Sequence, residues 1–267
     1  MLTEIKAFMR QDFLTQTSYR IRTLISIAGF LVPIVPVFFI ANAIDPLLGD
    51  SIADQGGEYF GFLVVGLAAQ RILYTAMMGL PGSVSSTIRT GTLEALFVTP
   101  IRLSTLVTGL VSYRMLWVIA EAFMLILAGT LLGADIALSR VPIALAIVLA
   151  ITVTYFAFGL IGGAAMLAFR TMGPLSAVVG LSSVFLGGVF YPTEVIPSWL
   201  RGISDYIPLT YGLRALRKTL LEGMSAFDVA GDITIMLAFM VGLVAVGWVL
   251  FNQAFQYARR SGSLSQY

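Results

Sequence analysis

The chain is 267 residues long, 58% hydrophobic and only 11% charged, with a mean hydropathy of +0.92 and a formal net charge of +2. Soluble domains carry about 25% charged residues, so a water-soluble core of this size is excluded, and so few, scattered basic residues give no footprint for nucleic acid. Cysteine and histidine are absent, which removes disulfides, thiol catalysis, zinc-thiolate sites and Ser-His-Asp chemistry, and neither Lys6 nor Lys218 follows a glycine as a P-loop requires.

A bilayer core of about 30 Å takes roughly 20 apolar residues in a helix. Hydropathy predicts six spans, near 23–44, 58–80, 104–133, 141–169, 174–192 and 230–253, and hence an all-α integral membrane fold with one domain over 1–267. Residues 1–22 are polar, carry Lys6, Arg10, Arg20 and Arg22, and lack the layout of a cleaved signal. Leu2, Ile5, Phe8, Met9 and Phe13 fall near one face with Lys6 and Arg10 off it, which predicts an amphipathic helix on the inner leaflet. Span one holds Pro33 and Pro36, which can kink it. The segment 45–57 that follows has Asp45, Asp50 and Asp54 and no basic residue.

Span two contains Arg71. Beyond it, Ser83–Ser104 is too long for a turn and too polar for a span, and reads as a cytoplasmic helix. Thr90 or Thr92 can cap it, Glu94 lies in its first turn, Leu93, Leu96 and Phe97 share a face, and Pro100 stops it. Such a helix either lies on the inner leaflet or docks its apolar face in a partner's groove. In span three, Arg114 and Glu121 are two turns apart on one face, about 10 Å along the axis. Gly159, Gly162 and Gly163 in span four permit close helix packing.

The stretch Phe190–Gly223 is broken by Pro192, Pro197 and Pro208 into two short pieces. Ile196, Trp199, Leu200 and Ile203 form the apolar stripe of the first; Leu213, Leu216 and Leu220 form that of the second, with Arg214, Arg217 and Lys218 placed away from it. Neither piece can cross a bilayer alone, and Trp199, Tyr206 and Tyr211 suit a membrane–water boundary. A re-entrant helix pair at the outer face is expected over 190–223.

Inner segments carry an excess of arginine and lysine. With both termini cytoplasmic, Lys6, Arg10, Arg20, Arg22, Arg89, Arg102, Arg170, Arg259 and Arg260 fall inside. Arg71, Arg114 and Glu121 lie within spans, where an unpaired charge costs at least about 2.5 kcal/mol. Glu121 is therefore expected to pair with Arg71 or Arg114, as a lock within the chain, a substrate contact or a proton relay.

Two segments together resemble the permease subunits of type-2 ATP-binding-cassette (ABC) exporters. The first is Arg89-Thr90-Gly91-Thr92-Leu93-Glu94 with Thr99-Pro100-Ile101, similar to the family's coupling helix between spans two and three. The second is Gly188-Val189-Phe190-Tyr191-Pro192, Ile196-Pro197-Ser198-Trp199-Leu200, Ile207-Pro208-Leu209-Thr210-Tyr211 and Leu213-Arg214-Ala215-Leu216-Arg217, similar to its signature from span five to span six. The resemblance implies coupling to an ABC ATPase through Arg89, Gly91, Thr92, Leu93, Glu94, Leu96, Phe97 and Pro100. It also implies an outer gate built on Phe190, Tyr191, Pro192, Pro197, Trp199, Leu200 and Pro208. Residues 1–22 match the family's elbow helix, and a plain membrane anchor fits them equally.

The resemblance further implies a multi-pass protein of the inner (cytoplasmic) membrane, in contact with lipid. ATP and magnesium would act in the partner ATPase, and no cofactor, metal or catalytic residue is expected in this chain. A second permease copy, identical or related, would complete the translocation path. The function expected is export of an amphipathic, drug- or lipid-like compound by alternating access. The alternatives are a polysaccharide or glycolipid exporter and an ion-coupled secondary transporter; an internal repeat, which the latter usually shows, is not evident.

Overall fold

A computed structural model describes residues 2–18, 20–52, 58–91, 102–171 and 175–261. The described residues are helical, without strands, as expected of a chain whose backbone polar groups must bond internally in lipid. In chain order the helices are α1 (Leu2–Ser18), α2 (Arg20–Leu31), α3 (Ile34–Ile52), α4 (Tyr59–Arg89), α5 (Leu103–Leu131), α6 (Val141–Phe169), α7 (Leu175–Leu186), α8 (Ser198–Ser204), α9 (Pro208–Leu220) and α10 (Ala230–Ser261). Five stretches are long and apolar enough to cross a membrane: Thr23–Ile44, Tyr59–Arg89, Leu103–Leu131, Leu138–Phe169 and Ala230–Arg260.

α4 and α6 form the centre. Close approach is possible because glycine stands where backbones meet: a Cβ at Gly159 would lie 2.9 Å from the Ala76 carbonyl of α4, and one at Gly247 of α10 would lie 2.8 Å from the Ala157 carbonyl of α6. One end of the bundle gathers Tyr59, whose hydroxyl donates to the Phe190 carbonyl at 2.9 Å, and Ala137, whose amide donates to the Leu220 carbonyl at 2.7 Å. The other end gathers Val84, Val107, Leu167 and Phe251 in a second apolar cluster, with Phe8 of α1 seated against Gly109. α1 and the last turns of α10 therefore share one end of the molecule.

Four elements differ from the sequence expectation. α4 does not stop near 80 but runs to Arg89, so Ser83–Arg89 belongs to the second span rather than to a separate helix. Ser83 Oγ ties it to α5 through the Leu110 carbonyl at 3.3 Å. Thr90 caps the C-terminus of α4, its hydroxyl donating to the Ser86 carbonyl at 3.0 Å, and Gly91 follows at φ +68°, the left-handed conformation that favours glycine after a helix. Thr92, Leu93, Glu94, Leu96, Phe97 and Pro100 lie outside the described residues. The first span is two helices, broken at Val32 and Pro33, since proline removes an amide and clashes with the preceding turn. α3 then continues to Ile52, across part of the expected loop.

The fourth difference is the expected span 174–192. α7 has 12 residues, about 18 Å at 1.5 Å per residue, roughly half a bilayer core. It starts level with Gly162, against which Ser176 packs, and ends level with Tyr155, whose hydroxyl donates to Ser183 Oγ at 2.8 Å and accepts from the Leu209 amide. There α9 takes over: Gly212 meets Ile151, and Leu220 reaches the Tyr59 end. The end of α7 and the start of α9 thus meet at Tyr155. The short pieces anticipated between Pro192 and Gly223 are α8 and α9, with Pro197 at the N-cap of α8 and Pro208 as the first residue of α9.

Candidate functional site in an intramembrane ion pair

Arg71 on α4 and Glu121 on α5 form a two-pronged ion pair, Nε to Oε2 at 2.7 Å and Nη2 to Oε1 at 3.2 Å. Trp117, one turn before Glu121, donates its indole N–H to Oε1 at 2.7 Å. The carboxylate is 2% exposed and the arginine side chain 44% exposed. Of the two arginines anticipated as partners, the structure selects Arg71. Arg114 instead donates from Nη1 to the Gly79 carbonyl at 3.1 Å, two turns further along α4. Arg71 and Arg114 are thus not at one depth.

A cavity of about 250 Å³ opens beside the pair. Phe30, Pro33 and Ile34, at the break in the first span, form one wall; Leu67, Gln70, Arg71 and Tyr74 of α4 form the second; Glu121, Ala122 and Leu125 of α5 form the third. The Phe30 ring centroid is 6.0 Å from the Arg71 guanidinium carbon, within reach of a cation–π contact. Next to it, Trp117, Tyr113 and Phe13 continue as a row of rings with centroids 6.3 and 6.5 Å apart. This row borders a groove between α1 and α5 lined by Met9, Arg10 and Leu116.

A second polar cluster holds the segment between α7 and α9. Arg217 of α9 is 3% exposed and donates to three backbone carbonyls, Gly188 at 2.7 Å, Val189 at 3.0 Å and Phe62 at 3.3 Å, with its guanidinium carbon 3.3 Å from the Phe62 ring centroid. The placement of Arg217 off the apolar stripe is thereby corrected. It stands one turn after Leu213, on the same face, a signal that the i, i+4 spacing already carried. The approach is so close that a Cβ on Gly66 would lie 2.3 Å from the Val189 carbonyl. Arg214 and Lys218 do face away, toward Asp232 of α10 at 3.3 and 3.4 Å.

Of the residues expected in the outer gate, Phe190 accepts from Tyr59 and packs near Phe185, Pro192 and Pro208 are buried, Tyr191 and Leu200 are half-buried, and Pro197 is exposed. Trp199 is 77% exposed. Arg89 and Gly91 are exposed at the end of α4. The groups not singled out from sequence are Trp117 and Tyr155. Trp117 was legible by its spacing of four from Glu121; Tyr155 was not, because its partners lie on distant segments.

Long apolar helices packed around a charged pair that faces a cavity define a multi-pass helical membrane protein. The sequence profile of the ABC-2 type transporter family matches residues 3–221, and the chain belongs to that family. It is 25% identical over 215 residues to the inner membrane transport permease YadH of Escherichia coli K12, covering 78% of this chain and 80% of the relative. It is 29% identical over 206 residues to the daunorubicin resistance ABC transporter permease protein DrrB1 of Streptomyces coeruleorubidus, covering 75% of this chain and 70% of that one. The chain is a transporter permease rather than an enzyme.

Proposed function

We propose that this chain is the membrane permease of an ATP-driven exporter and moves an amphipathic, drug- or lipid-like compound outward through the inner membrane. The observation that carries the choice of cargo is the cavity beside Arg71 and Glu121. Its walls are mostly apolar or aromatic with one charged patch, which suits an amphiphile, and about 250 Å³ is small for a glycan chain. The daunorubicin resistance ABC transporter relative supports the exporter reading, and the inner membrane permease relatives support the location. The shared end of α1 and α10 is consistent with both termini being cytoplasmic.

ATP and magnesium act in a separate ABC ATPase, since this chain has no P-loop. The drive enters through the segment after Arg89, where Gly91 turns the chain off the end of α4 toward Thr92, Leu93, Glu94, Leu96, Phe97 and Pro100. A second permease copy, identical or related, covers the apolar face of α7 and α8. Val178, Leu181 and Phe185 are 58, 54 and 50% exposed there, and Trp199 and Ile203 follow. Alternating access at that interface, with the outer segment from Phe190 to Pro208 as exit gate, completes the cycle.

The test is reconstitution with its ATPase and an assay of ATP-dependent dye accumulation in inverted vesicles. Glu94→Ala should assemble at near wild-type levels yet lose most substrate-stimulated hydrolysis, because a charge-assisted interface contact is worth roughly 1.5–3 kcal/mol. Full turnover and transport by this variant would show that the segment only lies on the bilayer.

A further inference from the structure

The charge chemistry of the cavity restricts the cargo. Three donors occupy the Glu121 carboxylate: Arg71 Nε, Arg71 Nη2 and Trp117 Nε1. At 2% exposure it has no free edge to offer. A cationic group entering the cavity would find Glu121, the acidic residue among the described lining residues, already engaged, and would face a guanidinium.

Arg71 is the opposite case. A guanidinium carries five N–H groups in a planar fork; the fork toward Glu121 takes one from Nε and one from Nη2, leaving Nη1 and the outer Nη2 proton. The side chain is 44% exposed on the cavity wall. On the cavity wall these donors can bind an acceptor of matching planar or tetrahedral geometry by charge-assisted hydrogen bonds. Gln70 and Tyr74 stand beside Arg71 on the same wall and supply an amide and a phenol to the same polar end. Pro33, Ile34, Leu67, Ala122 and Leu125 complete an apolar surround for the first carbons of a tail. The volume holds a head group and those carbons, and the rest of the molecule extends through the open side.

We propose that the cavity selects amphiphiles whose polar end is an anionic oxygen acceptor, a carboxylate, sulfate or phosphate ester, held by the outer edge of Arg71, and rejects cationic ones. The selection rests on the export reading above, but its test does not use transport. Trp117 touches the ion pair and is one of three tryptophans; Trp199→Phe with Trp248→Phe leaves it as the sole indole emitter in the full chain. In nanodiscs of neutral lipid, a brominated alkyl sulfate should quench Trp117 saturably. A brominated alkyl trimethylammonium of the same length should need at least a roughly tenfold higher concentration.

The neutral pair Arg71→Gln with Glu121→Gln keeps a hydrogen-bonded contact between α4 and α5 and removes both charges. It should retain Trp117 emission and abolish the difference between the probes. Equal quenching by both probes in the parent, preference for the cation, or a preference that survives in the neutral pair would each overturn the proposal. Charge-selective quenching with no ATP-dependent transport of the sulfate would instead sink the export reading and leave the binding site standing.

Discussion

Arg217 and Glu121 are both charged groups in apolar surroundings, and they are satisfied by different means. Glu121 has a cation and an indole; Arg217 has three carbonyls and an aromatic face. Lysine in place of Arg217 keeps the charge but cannot present a planar fork to carbonyls on two separate segments. Arg217→Lys should therefore destabilise the protein by on the order of 3 kcal/mol, read as a lower thermal midpoint in detergent, while Arg214→Lys, whose partner Asp232 is a point acceptor, should change it little. An unchanged midpoint in Arg217→Lys would mean that the clamp contributes nothing. The need to pair Glu121 was legible from the cost of a charge in lipid, and the choice narrowed to two arginines; choosing between them required knowing how α4 and α5 are offset. Arg217 was misplaced by a stripe drawn through the leucines alone.

At the level of elements, the path of the chain from Gly187 to Phe190 depends on α4 allowing a backbone against it. Gly66 is the point of contact, and alanine there would drive a methyl to 2.3 Å from the Val189 carbonyl. Gly66→Ala should cost about 1–3 kcal/mol through overpacking. Because it displaces a carbonyl that Arg217 holds, its effect should be sub-additive with Arg217→Lys in a double-mutant cycle. Strict additivity of the two midpoint shifts would show that the contacts are independent. The long helices were readable because twenty apolar residues in lipid have few alternatives to a helix. Their ends were less so: α4 passes nine residues beyond its expected stop, and Ser83, Thr87 and Thr90 send their hydroxyls back to carbonyls of their own helix. The polar character of that stretch mimicked a loop.

At the scale of the whole molecule, the exposed face formed by Val178, Leu181 and Phe185 on α7 should meet its counterpart in a second copy. Leu181→Cys, in a chain without native cysteine, should give an oxidised dimer in membranes, whereas Val246→Cys, on the equally apolar but distant face of α10, should not. Crosslinking at Val246 alone would place the partner elsewhere. Five of the six expected spans follow from the apolar segments, but the short α7 in the expected span 174–192 does not, since hydropathy averages over 187–192 and cannot see where a helix stops. That shortness bears on how the protein is made. A segment of 12 helical residues is too short to be retained as a stop-transfer sequence by itself, and α9 is no better placed. Both can settle only against α4 and α6, which emerge from the ribosome first, and α10 follows to close over them. Biogenesis thus has a late step in which the middle of the bundle is filled after its walls have been laid, and a lesion at Tyr155 or Ser183 should surface first as slow maturation and proteolytic loss of the nascent chain.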